Sequence, residues 1–285
     1  MKTISYVLLI TALVALGNAL PGKAANEVVL NAKQVNSARD IEAAIDTATD
    51  HGTRPGVVTL DGRQGRFEYT GDDRSINIYY SNVTLRSLNE AIISNCADGV
   101  FFDNVTAHNV TVEGLVFFCT GCGVAANNLG PHHHAVIRNN FFRTGSFPIE
   151  ILQGDDWTIT GNRLETHSDG IHLYETGGTT IRNNNIQAYV GVLLYHSGYD
   201  NTVSNNVITA TWQGVVLSGK TLRNKVTANK MFHIQDAGIA FTDIVTWNQV
   251  TGNQVTCSPE AECVAVRADP INYEQNKIVG NKLMK

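Results

Sequence analysis

The chain has 285 residues, 43% of them hydrophobic and 16% charged, which is enough to bury a sizeable core. Its net charge is −5 and no basic stripe runs along it, which argues against a nucleic-acid partner. Other partners stay open, because a polyanion needs only a local positive patch.

The N-terminus reads as an export signal. Lys2 precedes an apolar run from Ile4 to Leu16, and small residues follow at Gly17, Ala19, Ala24 and Ala25. That run is too short to span a bilayer comfortably, so residues 1–25 are expected to be a signal peptide and the mature chain secreted or periplasmic. No later stretch could cross a membrane. Ser37 then suits an N-cap and Asp40 a first turn, while Ile41, Ala44, Ile45 and Ala48 share one face of a short helix ended by His51-Gly52. Short strand patterns follow at residues 57–60, 76–78 and 83–85, and 109–117 is the first well-formed copy of a repeat.

From Val136 to Val255 the pattern recurs about every 22 residues, as in Thr158-Ile159-Thr160-Gly161-Asn162-Arg163-Leu164 and Thr180-Ile181-Arg182-Asn183-Asn184-Asn185-Ile186. The aligned asparagines are Asn140, Asn162, Asn184, Asn206, Asn229 and Asn253, with Asn281 one wider step on. A second strand keeps the same beat behind a glycine column, as in Gly170-Ile171-His172-Leu173 and Gly191-Val192-Leu193-Leu194. The period leaves no room for a helix, so the units are coils of short parallel strands with inward Val, Ile, Leu and Phe stacked into one core. Asparagine suits the turns, since it tolerates left-handed dihedrals, and identical amides can stack in ladders. The L-x-x-L-x-L frame of a leucine-rich repeat is absent, and a propeller blade needs about twice the period.

Five cysteines fit an oxidising compartment. Cys257 and Cys263 bracket a loop where the repeat lengthens and read as a local disulfide; Cys96 lies one coil before Cys119 and Cys122 and could bridge to either. A zinc site at Cys119-x-x-Cys122 lacks a second ligand pair. Asn82, Asn104 and Asn109 match the glycosylation sequon, as chance allows in an Asn- and Thr-rich repeat. No cap is evident after Asn281-Lys282-Leu283.

From about Val57 onward this pattern resembles the right-handed parallel β-helix superfamily, the pectate lyase-like and β-helix repeat proteins. The resemblance implies an all-β, right-handed solenoid of about nine or ten coils in one domain over residues 26–285. It also implies that the helix near residues 37–48 caps the open end of the core.

Core positions of a β-helix are occupied by packing, so function falls to outward side chains and turns. Glu150, His172 and Leu193 point outward on successive coils, and Leu152, Tyr174 and Tyr195 form the next outward column, with Gln153, Glu175 and His196 starting the turn. His132-His133-His134, Asp155-Asp156 and His196–Asp200 occupy neighbouring turns, whereas Val216, Ser218, Ala240 and Thr242 are inert. Aromatic faces stack on sugar rings, and carboxylates or histidines bind hydroxyls or move protons. The resemblance therefore implies an exported, monomeric carbohydrate-active protein, a polysaccharide lyase-like enzyme acting on an acidic polysaccharide. Its catalytic residues would be His172, Tyr174 and Glu150, its substrate-binding residues Tyr195, His196 and Asp169, and Asp155 and Asp156 would hold calcium. The rival is a non-catalytic glycan-binding or envelope scaffold. Asp155-Asp156 and His167-Ser168-Asp169-Gly170 also suit plain turns, and Arg143 with Glu165 reads as a surface pair. The N-T-D, histidine-glycine and R-I-K motifs of polygalacturonase-like hydrolases and the D-P-H-D motif of alginate epimerases are absent, and no lysine falls on this flank.

Overall fold

The computed structural model describes residues 26–69, 75–102, 107–126 and 132–284. The expected signal peptide, the Asn104 sequon and the His132 side chain lie outside them. The described chain winds into a parallel β-helix of about nine turns. One face is an 11-stranded sheet running from Asn26–Asn31 to Lys277–Val279, and the other strands of each coil join a 17-stranded sheet. A regular coil holds three strand segments, for example Thr158–Thr160, Arg163–Glu165 and Ile171–Tyr174. What reads in sequence as one strand around Asn162 is therefore two strands on different faces, with the asparagine at the corner.

The corner chemistry differs from simple turn propensity. The left-handed residue is the one before each aligned asparagine: Asn139, Gly161, Asn183, Asn205, Ala228, Gly252 and Gly280 all have φ between 55° and 70°. Ala228 accepts this conformation at a cost of about 1 kcal/mol. The asparagines themselves are buried and form an amide ladder. In each rung the Oδ1 of one asparagine accepts from both the backbone N–H and the Nδ2 of its predecessor, at 2.9 and 3.0 Å for Asn162 onto Asn184. The Nδ2 also donates to a backbone carbonyl of the preceding coil, as Asn184 does to Ile159 at 3.0 Å. A second ladder runs down another corner through Asn201, Asn224, Asn248 and Asn276. These rungs close backbone groups that the turns would otherwise strand inside the protein.

Between the sheets the core is apolar and continuous, with Phe117 and Phe142 stacked at 5.0 Å and Trp157 fully buried against Phe102. The N-terminal helix α1 (Ala38–Thr49) lays Ala38, Ile41, Ala44, Ile45 and Ala48 on the open end of that core. The Asp40 carboxylate accepts the Ser37 N–H at 3.0 Å, and Asp50 turns left-handed at its C-terminus. Cys96 pairs with Cys119 and Cys257 with Cys263, leaving Cys122 as a buried free thiol. A second short helix, α2 (Pro270–Gln275), was not anticipated from the pattern near the C-terminus; Asp269 caps it by accepting from the Asn272 N–H.

Replacing Asn184 by Ala removes one rung: the buried Asn162 N–H loses its acceptor, the Asn162 Nδ2 loses one of its two, and the Ile159 carbonyl loses the Nδ2 donor. At about 1–3 kcal/mol per buried unsatisfied group, Asn184→Ala should destabilise the protein by roughly 3 kcal/mol or more, against a few tenths for the exposed Arg182→Ala. Urea midpoints for the two variants measure the difference.

Candidate active site

Strand register places the outward columns as the repeat phase predicts. Glu150 pairs with His172 and His172 with Leu193, while Leu152, Tyr174 and Tyr195 align two residues on. Ile149, Ile171 and Val192 between them are buried. Further along the first column, Val216 and Ala240 also face outward yet are only 6% and 1% exposed. The sheet folds inward along this line, and they form a small second apolar cluster with Val190 and Ala237. Glu150 and His172 therefore stand on the wall of a re-entrant corner, part-way out of water.

That position sets their electrostatics. Burial raises the Glu150 carboxyl above its usual value; a hydrogen bond from Cys122 opposes the shift, and the Asp98 charge adds to it. Burial lowers the His172 imidazole. Glu150 Oε1 and His172 Nδ1 are 3.7 Å apart, too long for a hydrogen bond. A salt bridge would pull these two shifts the other way, so burial and not pairing sets both groups. Phe147 packs against the His172 ring at 5.0 Å, and both ring nitrogens are closed to solvent with no hydrogen-bond partner. Behind Glu150, the Cys122 thiol lies 3.7 Å from Oε2, and burial together with the Glu150 and Asp98 charges pushes it up to about 12. The Cys122 N–H in turn donates to Asp98 at 2.7 Å.

The adjoining column is solvated. Tyr174 stacks on His196 at 5.0 Å and leans on Tyr195, which is exposed. Glu175 accepts from Gln153 Nε2 at 2.7 Å and faces His196 Nδ1 at 2.8 Å, and these two hydrogen bonds lower its carboxyl. Gln153, Glu175 and His196 all have left-handed φ, so this turn column has a backbone role as well. Asp169 is half-buried three residues before His172, and burial raises it.

Asp155 and Asp156 are tied into the turns. Asp155 accepts from the Gly177 N–H at 2.7 Å and lies 3.4 Å from the Tyr199 hydroxyl, while Asp156 sits at φ 59° facing His134 at 3.6 Å. Calcium takes six to eight oxygens, and among the described residues no three His, Cys, Asp or Glu gather as a metal site. Arg143 and Arg163 both bind Glu165 on the neighbouring face. The structure thus joins Glu150 with His172, and Tyr174 with Tyr195 and His196. Sequence reasoning missed Asp98, Cys122 and Phe147, which precede Gly99, Gly123 and Pro148 at the phase Asp169 holds before Gly170. It also missed the exposed Tyr189 and Trp212 at the sheet bend.

Fold and wall together define a parallel β-helix with a belt of ionisable and aromatic groups on one outer side. Residues 63–256 match the family described as "Periplasmic copper-binding protein (NosD)", and the chain belongs to the NosD family. That description agrees with the secreted or periplasmic location expected from the N-terminal run. Among the described residues no helix is long and apolar enough to cross a membrane. No curated protein matches the chain. Among solved structures it is similar to the A-module of the mannuronan C-5 epimerase AlgE6 of Azotobacter vinelandii, with 16% identity over 90% of this chain and 99% of that one and a TM-score of 0.53. An alginate lyase from Paenibacillus sp. has 14% identity over 86% of this chain and 100% of that one, with a TM-score of 0.54. The Dettilon tailspike protein has 13% identity over 89% and 68%, also at 0.54. At such identity the likeness is one of fold.

Copper favours sulfur and imidazole ligands. Here four cysteines are closed in disulfides, the Cys122 thiol is held protonated, Met231 is sealed in the core and Met284 lies exposed on the last strand. The His108 and His133 rings stack at 25° with centroids 5.6 Å apart, so their in-plane lone pairs run side by side instead of converging. Among the described residues no three His, Cys, Asp or Glu gather in a geometry that would hold the ion.

The shifts have opposite consequences for stability. His172 is depressed below 6.5, so its contribution is present above that value and is lost as pH falls through the folded value. Glu150 is raised above 4.5, so its contribution is present below that value and is lost as pH rises through the folded one. On acidification below about pH 6.5 the melting temperature should fall less for His172→Gln than for the wild type. On the alkaline side Glu150→Gln should fall less. Scanning fluorimetry from about pH 4 to about pH 8 reads both windows; profiles parallel to wild type would overturn the two shifts.

Proposed function

We propose that the chain is an exported carbohydrate-active protein with a lyase-like site for an acidic polysaccharide. The observation that carries this reading is the Glu150–His172 pair, 3.7 Å apart on adjacent coils, where burial raises the carboxyl and lowers the imidazole. A neutral imidazole can take the proton next to a uronate carboxylate, and a carboxyl that keeps its proton can donate a hydrogen bond to that carboxylate as charge builds on it. This offers a substitute for the arginine that the wall lacks. The electrons of the broken C–H bond form the new double bond, the neighbouring C–O bond breaks, and the leaving oxygen takes a proton from the Tyr174 hydroxyl. Tyr195, His196 and Asp169 border this point and would hold the flanking sugars. Proteins of similar fold include a mannuronan C-5 epimerase and an alginate lyase, which supports alginate-like polymers as first substrates.

A second reading, a non-catalytic glycan-binding or envelope β-helix, is favoured by the closure of both His172 nitrogens to solvent. A base there must swing its ring past Phe147 to reach a substrate.

Alginate and polygalacturonate assayed for unsaturated ends near 235 nm separate the two. Turnover should fall at least about a hundredfold in His172→Ala and Glu150→Ala. Glu150→Gln, which keeps a donor, should fall less, and Tyr174→Phe should lose the leaving-group step. Full turnover in His172→Ala would exclude the pair as the catalytic site; binding without turnover by the wild type would favour the second reading.

A further inference from the structure

One and two coils beyond His172, the outer wall carries a feature that the acid–base pair does not use. The strands Asn185–Tyr195 and Val207–Ser218 bend sharply, and their pairing slips there: one residue separates Ala188 from Val190, but two separate their partners Ala210 and Gln213. The slip turns Tyr189 and Trp212 outward, 46% and 39% exposed, with ring planes 4° apart and centroids 6.4 Å apart. The bend is pinned by backbone hydrogen bonds, Tyr189 N–H to Ser168 O at 2.8 Å and Asp236 N–H to Trp212 O at 3.1 Å. The rings are therefore held in place without being buried.

Each ring borders a cavity. Trp212 lines one of about 540 Å³ with Gln235, Ser258 and Glu260, and Tyr189 lines one of about 450 Å³ with His167, Gln187 and His233. Gln235 and Ser258 line both, so the two form one trough along the solenoid axis. Its far wall is the loop between Cys257 and Cys263, fixed by the disulfide and by Ser258, whose hydroxyl donates to the His233 carbonyl at 2.7 Å. Among the described residues no lysine or arginine lines either cavity, and Glu260 is the one carboxylate. Exposed parallel rings beside amides, imidazoles and hydroxyls match the two sides of a sugar: a C–H face to stack and a rim of hydroxyls to bond.

We infer that the trough at Tyr189 and Trp212 is a saccharide subsite for uncharged sugar residues, with the Trp212 indole as its stacking platform. Only the choice of a carbohydrate ligand rests on the function proposed above. A uronate would meet Glu260 here with no cation to balance it, so the subsite selects a neutral sugar. An extended chain passing from the Glu150–His172 wall would reach it after one to two strand spacings, roughly 5–10 Å.

The test uses the full chain carrying Trp247→Phe, which removes the other exposed tryptophan; Trp157 is buried. Tryptophan emission and calorimetry follow titration with cellohexaose, mannohexaose, xylohexaose and an alginate hexasaccharide. At least one neutral hexasaccharide should shift the emission. Trp212→Ala and Tyr189→Ala should each weaken its binding about tenfold, the size of one aromatic contact. Arg182→Ala, exposed on the 11-stranded face, should leave this binding unchanged, and unchanged melting temperatures would show that the exposed-site variants fold. Binding of alginate alone, or equal neutral-sugar binding by wild type and Trp212→Ala, overturns the subsite even if uronate cleavage is found. Neutral binding lost with Trp212, without cleavage of any uronate polymer, supports the subsite and counts against the lyase site instead.

Discussion

Buried asparagine amides hold this solenoid in register. A parallel coil has to turn its backbone at three corners, and each turn leaves N–H and C=O groups inside the protein without strand partners. From Asn140 to Asn281 a continuous ladder supplies those partners, and the ladder beginning at Asn201 does so at a second corner. Because every rung joins one coil to the next, residues of equal phase are forced into columns. Glu150 and His172 meet only because the register that stacks Ile149 on Ile171 is fixed in this way.

The wall shows how strongly position within a coil tunes one pair of residue types. Glu150 with His172 and Glu175 with His196 are both carboxylate–imidazole neighbours on adjacent coils. On the strand, where the sheet folds inward, the atoms stay 3.7 Å apart and burial dominates both groups. In the turn, the atoms close to 2.8 Å and hydrogen bonds hold the Glu175 carboxyl low. Burial shapes the first pair; the second is a solvated contact in a left-handed turn.

Much of this was legible from the repeat alone. A fixed beat of β-branched residues and asparagines specifies parallel coils, and alternation along the glycine-led strand identifies Glu150, His172, Tyr174 and Tyr195 as outward. Three things were hidden for physical reasons. The second ladder begins late, since its column reads Ala135, Trp157 and Thr179 before it becomes Asn201, so a packed aromatic and a threonine mask its phase. Cys122 and Asp98 lie in coils ahead of the regular repeat, where the phase has few copies to define it. Inward folding of the sheet depends on how two faces meet, and that brings Val216 and Ala240 out of water although they point away from the core. Helix α2 did have a readable start, Asp269-Pro270, but six residues are too few for a periodic pattern.

The ladder also explains where this protein is free to vary. Successive rungs of the first ladder are 22, 22, 22, 23, 24 and 28 residues apart, yet the amide distances between them hardly change. The coil therefore measures itself in hydrogen bonds, not in residues, and any surplus chain has to bulge out at a bend. Trp212 lies at one such bulge and the loop closed by Cys257 and Cys263 at another. Insertions can accumulate at these bends, coil by coil, without disturbing the stack beneath, so the outer wall can be rewritten while the spine stays unchanged.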